Sequence, residues 1–410
     1  MGNGASCREA SLWRSIWCGS YAIVGIRCKS IDLLPQGLAC LLPDQGSSAS
    51  ENHLVFADLP QDLLDRIRAC LPLSAYIRSS LVSKYWKNST FSPSTLALCS
   101  TLHSSEPWLF ALSIEPANQG SYAFDSEFCR WRRVQFPFMS RDLMYPVAAA
   151  NGLLCVNAYG EDQALLVVNP LMGTYRELPR WKEERFDPVV GLIVNPQTCT
   201  FKVIAVGSYE AEAVTEVYDS RTNQWSITCR LPMHRKLASS CSLFSKGLFY
   251  CWSAGSREAL LVYNIQDNVW SEIPMVLPSS YAYGKLVEYR DNVLLVGMSH
   301  GPDAFKSIRI WELQEPGKEM IEVARMPYGI LKEFCGKGKG PLNYQIVSSG
   351  DLLYLYAKRS TRLVVCNLTK NPPRWQQLTP SSTFAMDRSE IYLFSFCVHV
   401  KIVSSITMES

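Results

Sequence analysis

One stretch of the 410-residue chain matches a nucleophile motif literally: Gly297-Met298-Ser299-His300-Gly301. A serine so placed becomes reactive on a sharp turn between a strand and a helix, where backbone amides form the oxyanion site. Here residues 293–296 read as a strand and residues 305–311 as another strand. The motif is therefore expected in a loop between two strands of one sheet, without hydrolase chemistry. A second glycine-rich run, Gly336-Lys337-Gly338-Lys339-Gly340, shares only composition with phosphate loops. It lacks their spacing and the Ser or Thr that would hold magnesium, and reads as a basic loop. The fifteen cysteines are scattered without a CxxC pair, and among the five histidines His234, His300 and His399 stand isolated. Zinc-type sites need clustered ligands at short spacing. No catalytic residue, metal or cofactor is expected.

Composition narrows the class further. The chain is 47% hydrophobic and 19% charged, in the range of a globular protein. Its formal net charge of +3 makes no case for a nucleic-acid partner, which usually meets a strongly basic domain. Scattered thiols fit a reducing compartment, so cytoplasm and/or nucleus is the expected location. The most apolar N-terminal stretch, residues 15–26, is flanked by Arg14 and Arg27 and falls short of the ~20 residues of a membrane span. It also lacks a signal-peptide cleavage pattern. Met1-Gly2-Asn3-Gly4-Ala5-Ser6 fits N-myristoylation at Gly2, and the adjacent Cys7 could take palmitate. Membrane contact is expected only if this terminus is lipidated, since two acyl chains anchor stably and one does so marginally.

Three regions separate by pattern: an N-terminal extension over 1–50 ending in a Gly/Ser-rich polar linker, a helical unit over 52–95, and a β-rich region over 105–402. In the helical unit Asp58 is a candidate N-cap, and Pro60 suits a first helical turn. Leu59, Leu63, Leu64, Ile67 and Leu71 recur at three- and four-residue spacing, an apolar stripe. Leu71-Pro72-Leu73 breaks this helix, and Ile77, Leu81, Val82, Tyr85 and Trp86 mark the next. So short a unit has too little core to stand firmly alone and is expected to lean on a partner. Asp58-Leu59-Pro60-Gln61-Asp62-Leu63-Leu64-Asp65-Arg66-Ile67, then Cys70-Leu71-Pro72, then Leu81-Val82-Ser83-Lys84-Tyr85-Trp86 resembles an F-box, with Ser83 where that family commonly has cysteine. The resemblance implies binding to the adaptor of an SCF-type (cullin-RING) ubiquitin ligase. It assigns Leu59, Pro60, Leu63, Leu64, Ile67, Leu71, Pro72, Val82 and Trp86 to that contact.

The β-rich region repeats. An aromatic residue recurs at Trp131, Tyr175, Trp225, Trp270 and Trp375, with Met320 in the fifth position, each following an apolar run and an Asp, Asn or turn. The step of about 45–55 residues is that of kelch-type propeller blades. Upstream of each lies a second hairpin, as at Asn151-Gly152, Lys246-Gly247, Asp291-Asn292 and Gly350-Asp351. Two hairpins per repeat make a four-stranded blade, and six repeats a closed ring. The first repeat lacks an innermost strand, which residues 390–398 are expected to supply. The wider arrangement is similar to the plant F-box/kelch family, although single glycines replace the usual Gly-Gly pair. The expected fold is thus mainly β, a six-bladed kelch-type β-propeller preceded by a small all-α F-box. A two-sheet sandwich does not explain the period.

The resemblance implies a non-catalytic receptor whose F-box binds the adaptor, and through it a cullin, while the propeller holds a target protein for ubiquitination. The alternatives are a non-ligase kelch scaffold and a propeller sensor or enzyme. Loops expected on the target face, 138–145, 180–187, 233–236, 279–283 and 334–339, nominate Arg141, Arg185, Arg235, Tyr281, Tyr283 and Lys337 as contacts.

Overall fold

Two kinds of turn set the local geometry of the β-rich region. At Asn151-Gly152, Lys246-Gly247 and Arg290-Asp291 both central residues have positive φ, between 43° and 87°. This mirror-image turn matches the twist of paired strands and closes the tightest hairpins. The other turn begins with an Asp or Asn side chain. The oxygens of Asp219, Asn264 and Asn367 accept from the amides of Arg221, Gln266 and Thr369, each at 2.9 Å. Such side chains hydrogen-bond the backbone two residues on and so fix the reversal.

The computed structural model describes residues 60–71, 79, 83–89, 95 and 98, and from 108 to 396 the strands, one helix and a set of tight turns. Residues 1–59, 397–410 and the remaining connections lie outside the described residues. Two helices come first, α1 (Gln61–Ala69) and α2 (Lys84–Ser89). The strands then follow in order. The first group is β1 (Trp108–Ser113), β2 (Ser121–Asp125) and β3 (Arg130–Val134). The second is β4 (Met144–Ala150), β5 (Leu153–Ala158), β6 (Ala164–Asn169) and β7 (Thr174–Glu177). The third is β8 (Val189–Asn195), β9 (Thr200–Gly207), β10 (Glu212–Asp219) and β11 (Gln224–Pro232). The fourth is β12 (Lys236–Ser245), β13 (Leu248–Ala254), β14 (Ala259–Asn264) and β15 (Val269–Ile273). The fifth is β16 (Tyr281–Tyr289), β17 (Asn292–His300), β18 (Lys306–Glu312) and β19 (Ile321–Arg325). A helix, α3 (Tyr328–Cys335), precedes the sixth group, β20 (Tyr344–Ser349), β21 (Leu352–Ala357), β22 (Arg362–Asn367) and β23 (Arg374–Leu378), and β24 (Ile391–Phe396) comes last.

Among the described residues these strands form six four-stranded antiparallel sheets, and the protein is a mainly-β propeller. Five sheets use consecutive strands. The sixth is ordered β24-β1-β2-β3, so the last strand pairs antiparallel with the first, Trp108 opposite Phe396 through Ser113 opposite Ile391. The missing innermost strand of the first repeat is therefore supplied from residues 391–396, as the repeat pattern implies. Inner strands lie beside one another in sequence, β4 with β8, β8 with β12, β12 with β16, β16 with β20, β20 with β24, and β24 with β4.

The recurring aromatics fall on the outermost strand of their sheets: Trp131, Tyr175, Trp225, Trp270 and Trp375, with Met320 just ahead of β19. Three face another aromatic across the hairpin, Trp131 with Phe124, Trp225 with Tyr218 and Trp270 with Tyr263, at centroid distances of 5.2, 5.5 and 5.2 Å. Two also reach the preceding sheet. Trp225 Nε1 donates to the Pro179 carbonyl at 2.6 Å, and Trp270 Nε1 to Thr215 Oγ1 at 2.9 Å. A bulge in β11, where Thr215 faces Cys229 but Glu216 faces Ile227, leaves Thr228 as the extra residue. Its hydroxyl lies 2.8 Å from the Tyr263 hydroxyl of the next sheet. Each indole thus buries area between sheets while satisfying its own donor.

Three local expectations are corrected. Ser299 lies within β17, not in a loop, because Gly297, Met298 and Ser299 continue the ladder opposite Arg309, Ile308 and Ser307. Tyr281 and Tyr283 are residues of β16, with a register shift between them, rather than loop residues; tyrosine favours a pleated strand. The 334–339 segment begins inside α3, where Phe334 is fully buried. Pro327 opens that helix and Gly336, at φ 63°, ends it.

Neighbouring sheets approach closely at Gly191 of β8. A Cβ built there would stand 2.4 Å from the Phe249 ring of the next sheet. Overpacking a filled core costs about 1–3 kcal/mol. Gly191→Ala is therefore expected to lower the free energy of unfolding by an amount in that range, and Gly191→Ala with Phe249→Leu to recover part of it, measured by urea unfolding.

Candidate functional site

Helix α1 carries the first candidate surface. Pro60 occupies its N-cap with φ −53° and ψ 143°, and its carbonyl accepts from the Leu63 and Leu64 amides at 3.1 Å. The helix begins one residue later than a proline in the first turn would place it, and no side chain caps it. It ends at Ala69, where the Leu71 amide donates to the Arg68 carbonyl at 2.9 Å, just before the Leu-Pro break.

The apolar stripe divides into two lines. Leu64 and Ala69 are buried, together with Arg68, which is fully buried. Pro60 is exposed, and Leu63, Ile67 and Leu71 are half-buried. A spacing of four residues puts Leu63 and Ile67 on one helical line, with Pro60 at its N-cap and Leu71 just past its C-terminal end. That line remains accessible to a partner. Leu64 and Trp86, both assigned to the adaptor contact by resemblance, are instead interior to the helical unit; Trp86 is 8% exposed. Leu59, Pro72 and Val82 lie outside the described residues.

Trp86 packs against Arg68, a residue that the sequence analysis does not single out. The Arg68 guanidinium lies 4.9 Å from the Trp86 ring centroid. Its Nε donates to Ser79 Oγ at 3.0 Å, its Nη1 to Ser89 Oγ at 2.7 Å and its Nη2 to the Trp86 carbonyl at 3.0 Å. Asp65 stands 3.8 Å away and accepts instead from the Tyr85 hydroxyl at 3.2 Å. Ser83 caps α2, accepting from the Trp86 amide at 3.1 Å. The available signal was the position of Arg68, one turn beyond Leu64 on the buried side of the stripe.

The propeller offers the second candidate surface. Up-and-down strands place the first and third turns of each sheet on one face. The middle connections and those between sheets lie on the other. The first face is laced between sheets: Asn151 Nδ2 donates to the Val194 carbonyl at 3.3 Å, Ser245 Oγ to Glu288 at 3.0 Å, and Arg290 Nε to Asp351 at 2.8 Å. Burial raises the Glu288 pKa, with Ser245 opposing. Arg141, Arg185, Arg235 and Lys337, which the sequence nominates as target contacts, lie outside the described residues. So do Gly2 and Cys7 of the N-terminal motif, and the 1–50 extension as a whole.

The described part of the 180–187 segment is held from the neighbouring sheet. Glu216 of β10, fully buried, accepts from the Lys182 amide at 2.9 Å and the Glu183 amide at 3.0 Å. Trp181 packs edge-on against Trp225 at 6.4 Å, and Arg230 pairs with Glu183. A surface connection is thus fixed by a buried carboxylate and an ion pair.

The nucleophile motif gains nothing from its surroundings. Ser299 is fully buried within its sheet and its hydroxyl pairs with that of Ser307. Burial pushes the Cys155 and Cys366 thiols up to about 12, so neither supplies a thiolate at neutral pH. Among the described residues no group of His, Cys, Asp and Glu comes together in a way that could hold a metal ion. Among them, too, no helix is long and apolar enough to cross a membrane.

A propeller preceded by a short helical unit with an accessible apolar line defines a class of interaction protein. Residues 134–388 match the family described as F-box protein At3g26010-like, beta-propeller, and the chain belongs to that family. F-box only protein 6 of Arabidopsis thaliana is 26% identical over 372 residues, covering 87% of this chain and 76% of its own length. The rice (Oryza sativa subsp. japonica) protein ABERRANT PANICLE ORGANIZATION 1 is 27% identical over 379 residues, covering 83% and 87%. F-box/kelch-repeat protein At3g61590 of Arabidopsis thaliana is 26% identical over 357 residues, covering 78% and 84%.

Removing the Glu216 acceptor leaves the Lys182 and Glu183 amides without it, and hydrogen bonds to a charged group contribute about 1.5–3 kcal/mol. Glu216→Ala is expected to speed trypsin cleavage after Arg180 and Lys182 several-fold relative to the parent, read by mass spectrometry of timed digests.

Proposed function

We propose that the chain is the substrate-recognition subunit of an SCF-type ubiquitin ligase, with the F-box over 52–95 bound to the adaptor and the propeller over 105–402 bound to a target protein. Family membership supports the F-box, and the accessible line of Leu63 and Ile67, with Pro60 and Leu71 at its ends, is the observation that carries the adaptor contact. Burying those side chains removes apolar surface from water at about 25 cal/mol per Å². It also gives a small helical unit the core it lacks by itself. Leu59 and Pro72, adjacent in sequence to the two ends of the line, extend the proposed contact.

We read the six sheets as six blades of one kelch-type ring, a reading supported by the succession of inner-strand neighbours. The face bearing the connections between blades is the proposed target surface, with the 180–187 segment and Arg141, Arg185, Arg235 and Lys337 on it. Such a receptor makes and breaks no bonds. It holds the target near the ubiquitin-carrying enzyme and raises the local concentration of the reacting groups. Cytoplasm and nucleus are the proposed locations, with membrane association only through a lipidated Gly2 and Cys7.

Leu63→Asp puts a charge in the middle of the proposed contact and is expected to abolish co-purification with adaptor and cullin while the propeller stays folded. Retention of both partners by the folded variant would overturn the assignment.

A further inference from the structure

Resting on the adaptor-binding reading above, we propose that Arg68 is a positioning residue. Its guanidinium locks the rotation of α1 about its own axis, and so sets Leu63 and Ile67 as the line offered to the adaptor.

Apolar packing is non-directional and tolerates rotation of a helix against its neighbours. At 3.6 residues per turn, a slip of one residue turns the helix by about 100° and carries Leu63 and Ile67 off the accessible line. The side chains that could resist this slip lie on the inner line, which α1 fills with Leu64 and Arg68. Leu64 supplies area without direction. Arg68 supplies direction, because its donors lie in a rigid plane and point at fixed angles. The three acceptors, Ser79 Oγ, Trp86 O and Ser89 Oγ, come from positions 11, 18 and 21 residues away. All three bonds cannot survive a rotated helix. Trp86 covers one side of the guanidinium plane and prevents it from swivelling.

Asp65, the nearby carboxylate, stays 3.8 Å from Arg68, and its Oδ1 is buried without a hydrogen-bond partner. The buried cation donates to two hydroxyls and a carbonyl and lies against a ring. Arg68→Met alone leaves these acceptors without their donor, a cost in stability that folding measurements must separate from any loss of orientation. What the guanidinium adds over a methionine, besides those bonds, is orientation.

The test uses the full chain and purified adaptor, with Arg68→Met, Arg68→Lys, and Ser79→Ala with Ser89→Ala. Circular dichroism and thermal melting report folding, and titration calorimetry reports affinity. Arg68→Met is expected to keep the helical signal and to weaken adaptor binding about tenfold or more, a loss of at least 1.4 kcal/mol. Arg68→Lys, a point charge without the planar fork, is expected not to restore it. A double-mutant cycle with Leu63→Ala separates positioning from general stability. Once α1 is free to rotate, the Leu63→Ala penalty is expected to shrink in the Arg68→Met background, whereas a purely structural role leaves the two additive. Parent-like affinity of Arg68→Met, or strict additivity in the cycle, overturns the proposal. Should Arg68→Met lose its helical signal, the serine double variant decides: parent-like affinity overturns the proposal, and weakened binding upholds it. Leu63→Asp in the same series keeps the two readings apart. If it still binds, the adaptor assignment itself fails. If it does not bind while Arg68→Met does, only the positioning role fails.

Discussion

The pairing of β24 with β1 is the constraint on which the propeller depends. Residues 108–113 and 391–396 are separated by nearly the whole β-rich region, yet six residue pairs join them. Without this ladder the first sheet has three strands, and β20 and β4 lose the inner strand that lies beside both. An unpaired inner edge is also a template for association with other chains. Closing a loop of that length costs chain entropy, which grows only slowly with length. The pairing also makes every inter-sheet contact conditional on both ends of the β-rich region.

Given closure, stability is shared among repeated contacts between neighbouring sheets. The Tyr218–Trp225 and Tyr263–Trp270 pairs each stack across a hairpin, and each indole then bonds to the sheet before it. The β11 bulge turns Thr228 toward Tyr263. Glu216 extends the same logic to a surface connection, holding the amides of Lys182 and Glu183. Such rigidity suits the proposed receptor role, because a pre-ordered binding loop has less entropy to lose on binding.

Much of the propeller was legible because its signals repeat. A tryptophan or tyrosine after a turn recurs at Trp131, Tyr175, Trp225, Trp270 and Trp375, and the missing inner strand could be matched to the apolar run at residues 391–396. What repetition does not carry was missed. The eight residues of α3 are too few to show a helical period against a β background, and Pro327 and Gly336 also read as loop punctuation. The strand placement of Tyr281 and Ser299 follows from pairing with distant residues rather than from their immediate neighbours. In the helical unit the stripe was visible but its division was not. Leu63 and Leu64 look equivalent in sequence, and only the burial of Arg68 under Trp86 reveals which of them faces inward.

The central claim is that two separate elements of one chain meet two separate partners, with α1 meeting the adaptor. Hydrogen–deuterium exchange of the full chain, with and without saturating adaptor, tests it most directly. The account predicts that adaptor slows exchange in peptides covering residues 60–71 and leaves the strands of the propeller unchanged. Protection that falls on the strands instead, or none at residues 60–71 under saturating adaptor, would contradict it.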